Sequence, residues 1–413
     1  MGKDFLHKNA KAWQPLATQE QVLFLNLVQG KLPQPLPTNL DWDTINRRLR
    51  SDGLAPFVYH QLGTARQQLP PATQQLLQQN YYQNLSVNHI RFEALRTLGQ
   101  QLATANIPVL VLKGGALALT VYPDPSLRFM GDLDITVPPH QTEAALHICQ
   151  QNGYNIHPDD LPDLQNRTWL HHEGWHIRLI KQVHGKQMVL ELHWPLRPTV
   201  LISQVAQLDL TAAWQAAIPL EPNHNLYQFH PAWQLLHLCL HTGLQHRFTD
   251  LGLRQYIDID LLLRDRLCQT PDFWPTFISL AQQARAQHVS YFCLRLTQAL
   301  LGTPLPDDAL APLLPPATKT ERFDQIFDPA FALNRHRAFY DHQRSVWRQL
   351  TTDRWQDRLA GPWQQLFPSA DYLTYYYDIK TDWQHLFYKL WHPLHAVARA
   401  SRRRVLSLAS RHH

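Results

Sequence analysis

Leu112-Lys113-Gly114-Gly115 closes one short apolar run, and Gly131-Asp132-Leu133-Asp134-Ile135 opens the next. The first run, Ile107-Pro108-Val109-Leu110-Val111-Leu112, predicts a strand, with a brief helix over residues 116–121. Residues 132–137 predict a second strand, stopped by Pro138-Pro139. In a strand, side chains two apart share a face. Asp132 and Asp134 therefore project together, about 7 Å apart at a rise of ~3.3 Å per residue. Leu133, Ile135 and Val137 fill the other face. Neighbouring carboxylates repel and raise a pKa unless a cation sits between them. An oxygen-rich site of this kind suits Mg²⁺ or Mn²⁺.

Further along, residues 141–151 predict a helix with Ala144, Ala145 and Ile148 on one side and Gly153 at its C-terminal stop. Residues 175–181 and 187–194 predict a hairpin about His184-Gly185. Its second strand carries Glu191 between Leu190 and Leu192. An acid in an otherwise apolar strand is costly unless it is paired or on a metal. Placed beside residues 132–137, this strand would bring three carboxylates together. Such a set can hold two ions roughly 3.5–4 Å apart for in-line phosphoryl transfer. Gly114 and Gly115, at a strand end that opens a helix, let backbone N–H groups approach an anion. Lys113 and Arg128 can add charge to the same anion.

Around this α/β stretch the chain reads as helical. Segments over 20–28, 41–49 and a long one from Pro71 precede it, the second with Thr38 and Asn39 as N-caps. Leu85, Phe92, Leu95, Leu98 and Leu102 form an apolar stripe on the long segment, and its many Gln form a solvated face. After Pro198, helices are expected over 231–242, 254–267 and 274–287, followed by a Pro-rich break at 303–316. An aromatic-rich stretch ends in a basic tail with Arg402-Arg403-Arg404, and no acid follows Asp382. The expected organisation is α+β: a helical region over 1–106, a small mixed-sheet core over 107–198, a helical domain over 199–325 and an aromatic-rich helical extension over 326–413.

At roughly 150 residues per domain, 413 residues suggest two or three domains. With 44% hydrophobic residues, a disordered chain is excluded for most of the length. Lys+Arg 38 less Asp+Glu 33 leaves +5, which permits an anionic ligand without demanding nucleic acid. RNA is therefore not the favoured partner. No apolar run reaches the roughly 18–20 residues of a bilayer span, and the N-terminal residues lack a signal-peptide pattern. Cys149, Cys239, Cys268 and Cys293 lie far apart and read as buried free thiols, so a reducing cytoplasm is expected. His237 and His241 have helical zinc spacing but no evident third ligand. Arg254 and Asp258 have the spacing of a helical ion pair. His171, His172, His176 and His184 read as solvated loop and hairpin residues.

The order Gly-Gly after a strand, Asp-x-Asp in a strand and a lone acid in a later strand resembles the nucleotidyltransferase superfold of DNA polymerase β, kanamycin nucleotidyltransferases and CCA-adding enzymes. Leu112-Lys113-Gly114-Gly115, Tyr122-Pro123-Asp124-Pro125, Arg128-Phe129-Met130-Gly131-Asp132-Leu133-Asp134 and Leu190-Glu191-Leu192-His193-Trp194 together resemble, more narrowly, a large and mostly uncharacterised bacterial nucleotidyltransferase family. So do His241, Leu253-Arg254 and Asp258, with Asp41-Trp42 and Gly53-Leu54-Ala55-Pro56 upstream. The resemblance implies that Asp132, Asp134 and Glu191 hold Mg²⁺ or Mn²⁺, with Glu191 as ligand or general base. It implies that Gly114 and Gly115 meet the triphosphate of an NTP, ATP being the expected donor. His241 would face the cleft beside Lys113 and Arg128. The activity implied is transfer of a nucleoside monophosphate to an unidentified hydroxyl or phosphate acceptor, with release of pyrophosphate. Gly115 stands where the superfold often has Ser, and Glu191 where it often has Asp. These departures leave a second reading, a degenerate nucleotide-binding or antitoxin-like accessory protein.

Overall fold

The computed structural model describes residues 18–160, 176–193, 208–249, 252–333, 341–357, 363, 366–368 and 370–409. Among the described residues, four helices lead into the sheet: α1 (Gln19–Val28), α2 (Trp42–Ser51), α3 (Ala55–Leu62) and α4 (Pro71–Thr104). Asp41, rather than Thr38 or Asn39, caps α2: its carboxylate accepts from the Thr44 amide at 3.0 Å. Next come β1 (Val109–Val111), α5 (Lys113–Thr120), β2 (Leu133–Thr136), α6 (Thr142–Gln151), β3 (Asn155–Ile156) and the hairpin β4 (His176–Val183) and β5 (Lys186–His193). His184 and Gly185 both take positive φ at its turn, as a tight two-residue hairpin requires.

Among the described residues the sheet has seven strands in the order β3-β4-β5-β2-β1-β7-β6, mixed in direction. Its last two members, β6 (Ile218–Glu221) and β7 (Leu226–Gln228), follow helix α7 (Leu210–Gln215) and lie in a stretch whose sequence reads as helical. They are too short for a period to show, and Pro219 interrupts one of them. The pairing β1–β7 is parallel and hydrogen-bonded, with Val109 opposite Leu226.

Alternation divides the sheet into two faces. Val109, Val111, Leu133, Ile135, Leu179, Leu190 and Leu192 join Phe92, Leu95, Leu98 and Leu102 of α4 in one apolar core. Leu110 and Leu112 point the other way, into a larger core shared with the C-terminal helices. That larger core is built by α1–α3 and the start of α4 together with α8 (Pro231–Leu240), α9 (Arg254–Arg264), α10 (Phe273–Gln283), α11 (Gln287–Leu301), the short α12 (Asp307–Leu310), α13 (Ala317–Ile326), α14 (Pro329–Leu333) and α15 (Asp341–Thr351). Phe292, Phe323 and Phe327 stack at its centre, with rings 3.8 and 5.1 Å apart. Helices α16 (Ala370–Tyr377) and α17 (Asp382–Ala409) complete the described chain. All four cysteines are buried and free.

The stripe on α4 is only partly apolar. Leu85 is exposed, and its neighbours turn Asn84, Asn88 and Arg91 inward. These three grip the connection between α5 and β2. Asn84 donates to the Ser126 carbonyl. Asn88 reaches the carbonyls of Pro125 and Arg128 at 2.8 and 2.9 Å. Arg91 reaches those of Met130 and Gly131 at 2.6 and 3.0 Å. Buried backbone carbonyls need partners, so this polar edge fixes the segment that delivers Asp132 to the sheet.

Candidate active site

Strand β5 lies parallel to β2, and the register sets Asp134 opposite Glu191 and Thr136 opposite His193. Because Leu133, Ile135, Leu190 and Leu192 enter the core with α4, Asp134, Glu191 and His193 share the opposite face. Strand β4 pairs antiparallel with β5 and places His176 opposite His193. Of the three carboxylates expected to converge, Asp134 and Glu191 are brought to neighbouring strands, where two histidines join them, while Asp132 lies just ahead of β2. His193 obeys the same two-residue rule that singled out the acids and was legible there. His176, read from sequence as solvated, is instead half-buried, with Nε2 3.6 Å from Glu191 Oε1.

Asp134 is the hub. Lys113 Nζ lies 2.6 Å from its Oδ1, and His193 Nε2 lies 2.8 Å from the same oxygen. The Leu112 amide donates to the Asp134 carbonyl at 2.9 Å, which sets Lys113 beside this strand. Lys113 adopts φ +47 at the first position of α5. Burial opposes the charge on Asp134, but Lys113 and His193 outweigh it and hold the carboxyl well below its usual range. Asp132 has the opposite fate: burial, then the charges of Asp134 and Glu191, push its pKa up to about 6. Burial opposes the charge on His193, yet its bonds to Asp134 and Glu191 raise its pKa.

The glycines have packing reasons of their own. A Cβ on Gly114 would lie 3.0 Å from the Arg128 guanidinium carbon, and one on Gly115 would lie 3.0 Å from Val111 Cγ1. The Gly115 amide donates to the Leu112 carbonyl at 3.2 Å. Arg128, held against Gly114, is clamped from the other side by Asp258 through two bonds, Nε–Oδ1 at 2.8 Å and Nη2–Oδ2 at 2.7 Å. Tyr122 donates to Asp258 Oδ1 at 2.8 Å. Asp258 therefore ties α9 to the segment before β2, a long-range role that the Arg254 spacing did not reveal. Arg254 itself lies over the Phe129 ring, 5.5 Å from its centre.

The end of α8, which roofs Lys113 and Asp134, is rich in histidine. At the end of α8 the chain widens into one turn of π-helix, His241–Gln245, an irregularity often found at functional sites. His241 Nε2 and His246 Nε2 approach to 3.2 Å. The rings of His237 and His241 are 6.3 Å apart, and among the described residues the buried His237 Nδ1 has no hydrogen-bond partner. Burial, then the nearby Lys113 charge, depresses all three: His237 to about 3, His246 to about 4, and His241 well below its ordinary value. The roof therefore offers neutral imidazoles near neutral pH. Sequence reasoning missed His246. Its partnership with His241 needs the π-turn, which no spacing rule encodes. His171 and His172 lie outside the described residues.

One atom each from Asp134, Glu191 and His193 falls within 4.8 Å of the other two, close enough to share one ion. The donor set of two carboxylates and an imidazole fits a divalent cation. The ammonium of Lys113 already bonds Asp134 Oδ1.

A mixed sheet carrying an acidic cluster on one face, roofed by helices, defines an α+β protein with this ionisable cluster between sheet and C-terminal helices. The chain belongs to the uncharacterised nucleotidyltransferase family, whose model matches residues 38–302. That span runs from the N-terminal helices through the sheet to the end of α11, so it includes every site residue described above. No curated protein and no solved structure matches the chain.

Proposed function

We propose that this chain moves a nucleoside monophosphate from an NTP, with ATP as donor, onto a hydroxyl- or phosphate-bearing acceptor. The acceptor oxygen would bond to the α-phosphorus as the bond to the β-phosphate oxygen breaks, and pyrophosphate would leave. The observation that carries this reading is the register of Asp134 against Glu191, with Asp132 just ahead of the same strand. Asp132, Asp134 and Glu191 would hold Mg²⁺ or Mn²⁺, with His193 available as a further ligand. The bound ion would supply charge neutralisation at the triphosphate and a lowered pKa for the attacking oxygen. Glu191 takes the acceptor proton where it is not itself a ligand. Lys113, Gly114, Gly115 and Arg128 would meet the triphosphate, and His241 on the roof would face the nucleotide. The DNA polymerase β-like ancestry belongs to this same reading.

The Lys113–Asp134 contact favours a second reading. A cation already on the central carboxylate suits a protein that binds a nucleotide without turning it over, as an accessory or antitoxin-like partner. Calorimetry with ATP, with and without Mg²⁺, paired with a pyrophosphate-release assay over a broad acceptor panel, separates the two. Pyrophosphate release that vanishes in Asp132→Asn and Asp134→Asn supports transfer. Full release in both variants would sink it, and binding with no release on any acceptor supports the second reading.

A further inference from the structure

Helix α17 is docked inside out. Its inner face is polar and aromatic. His392 is buried between Tyr372, Tyr376 and Tyr377, and the Tyr377 hydroxyl lies 3.0 Å from His392 Nδ1 and 3.3 Å from His395 Nδ1. Tyr388 stacks on Tyr377 at 4.1 Å, and His385 bonds the Thr374 hydroxyl at 2.7 Å. The outer face is apolar. Trp383, Leu386, Leu390 and Leu394 are 65–70% exposed, and Phe387 and Trp391 stack along the same side. At 100° per residue these positions fall within an arc of about 140°. Each such side chain left in water forgoes ~1.5–3 kcal/mol of burial, and a continuous stripe of this kind marks a surface with an occupant.

The charge of the helix identifies that occupant. Lys389 and Arg399, Arg402, Arg403 and Arg404 lie on α17, and no acid follows Asp382. A second copy of the chain could cover the apolar stripe but would leave the basic run without a counter-charge on this helix, which has no acid after Asp382. RNA would answer the arginines but leave Leu386, Leu390 and Leu394 uncovered. An anionic phospholipid surface satisfies both, because aromatic and aliphatic side chains enter the acyl boundary while basic ones meet the headgroups. No helix among the described residues is long and apolar enough to cross a membrane, which fits a helix lying in the surface plane. We infer that α17 docks the protein on anionic membrane through the Trp383–Leu394 face. The inference stands whether or not the cleft transfers nucleotides.

The test is flotation of the full-length chain with phosphatidylcholine vesicles, with and without phosphatidylserine, together with tryptophan emission. Expected is binding at least about tenfold stronger to the anionic vesicles, with a blue shift of the emission. The combined change Leu386→Asp, Leu390→Asp and Leu394→Asp, on exposed positions, should abolish binding. Arg402→Glu, Arg403→Glu and Arg404→Glu together should remove the preference for phosphatidylserine. Failure to float with anionic vesicles overturns the inference, as does unchanged flotation of the aspartate variant. So does a dimer that the aspartate variant disperses with no vesicle binding, or retention by RNA with none by vesicles.

Discussion

Asp134 and Glu191 are register partners on adjacent parallel strands, so their carboxylates rise from the same level of the same sheet face. Asp134 also holds a buried ammonium, whereas Asp132 is crowded by like charge. The two aspartates therefore respond oppositely to neutralisation in the metal-free protein. Asp134→Asn strands Lys113 and should cost of the order of 3 kcal/mol. Asp132→Asn relieves repulsion and should stabilise by roughly 1–2 kcal/mol above pH 7, after discounting for solvent. Because the folded pKa of Asp132 is raised to about 6, its proton stabilises the fold below its unfolded pKa. That contribution is lost as pH rises through 6, so the advantage of Asp132→Asn should fade in acid. Thermal melts at pH 5 and pH 8 without metal check this, and equal shifts for the two variants would contradict it.

His193 shifts the choice of metal. Carboxylate and water suit Mg²⁺, whereas an imidazole favours the softer ions. With His193 2.8 Å from Asp134 and 3.5 Å from Glu191, the site should bind Mn²⁺ more tightly than Mg²⁺. His193→Ala should narrow that preference by about tenfold or more. Titration of each ion into both proteins by calorimetry decides it. An unchanged ratio would remove His193 from the ligand set.

How much of this was legible in the sequence follows from the range of each rule. The alternation rule reaches two residues, and it exposed Asp132 with Asp134 and could have exposed His193 with Glu191. The cost of an acid in an apolar strand marked Glu191 without any knowledge of its neighbours. His176 required the β4–β5 register. The Arg128–Asp258 clamp joins residues 130 apart, and helical spacing near Asp258 pointed only to Arg254. Asn84, Asn88 and Arg91 look like ordinary surface residues of a Gln-rich helix. Only the carbonyls they satisfy show why they are buried.

Arg91 is a positioning residue for Asp132. Its guanidinium joins the two carbonyls just ahead of that aspartate. Arg91→Met keeps the apolar stem and leaves both carbonyls unpartnered. We expect a loss of about 1–3 kcal/mol in stability and a fall in turnover larger than any change in NTP affinity. Pyrophosphate-release kinetics against NTP concentration measure both. A loss of stability with turnover intact in the folded fraction would confine Arg91 to folding.

The Arg128–Asp258 clamp is bidentate and buried, so its geometry matters more than its charge. Arg128→Lys keeps the charge but cannot make two parallel bonds. Asp258 and the Tyr122 hydroxyl would then be poorly satisfied, at a cost of about 2–4 kcal/mol. Gly114→Ala presses a methyl on the same guanidinium at 3.0 Å and should cost roughly 1–3 kcal/mol through overpacking. Because both changes act on one side chain, their costs should fall short of adding. Denaturant melts of the single and double variants give the coupling, and strict additivity would mean that Gly114 and Arg128 are independent.

The histidine roof should make the protein acid-sensitive. His237 and His246 are depressed to about 3 and about 4, mainly by burial and then by Lys113. Lys113 faces them from α5, Arg247 and Arg254 add positive charge near His246, and Asp134 opposes them from β2. A histidine whose folded pKa lies below its unfolded value of ~6.5 binds its proton more readily in the unfolded chain. Its contribution to stability is therefore complete above pH 6.5 and declines as pH falls from there toward 4. Wild-type stability should drop over that window, and His237→Phe, which fills the volume without a titratable group, should flatten the slope. His246→Gln should do the same to a smaller degree, because His246 is only partly buried. Denaturant unfolding at intervals between pH 7 and pH 4 measures the slopes. Identical slopes in wild type and His237→Phe would show that this imidazole is not held neutral by the fold.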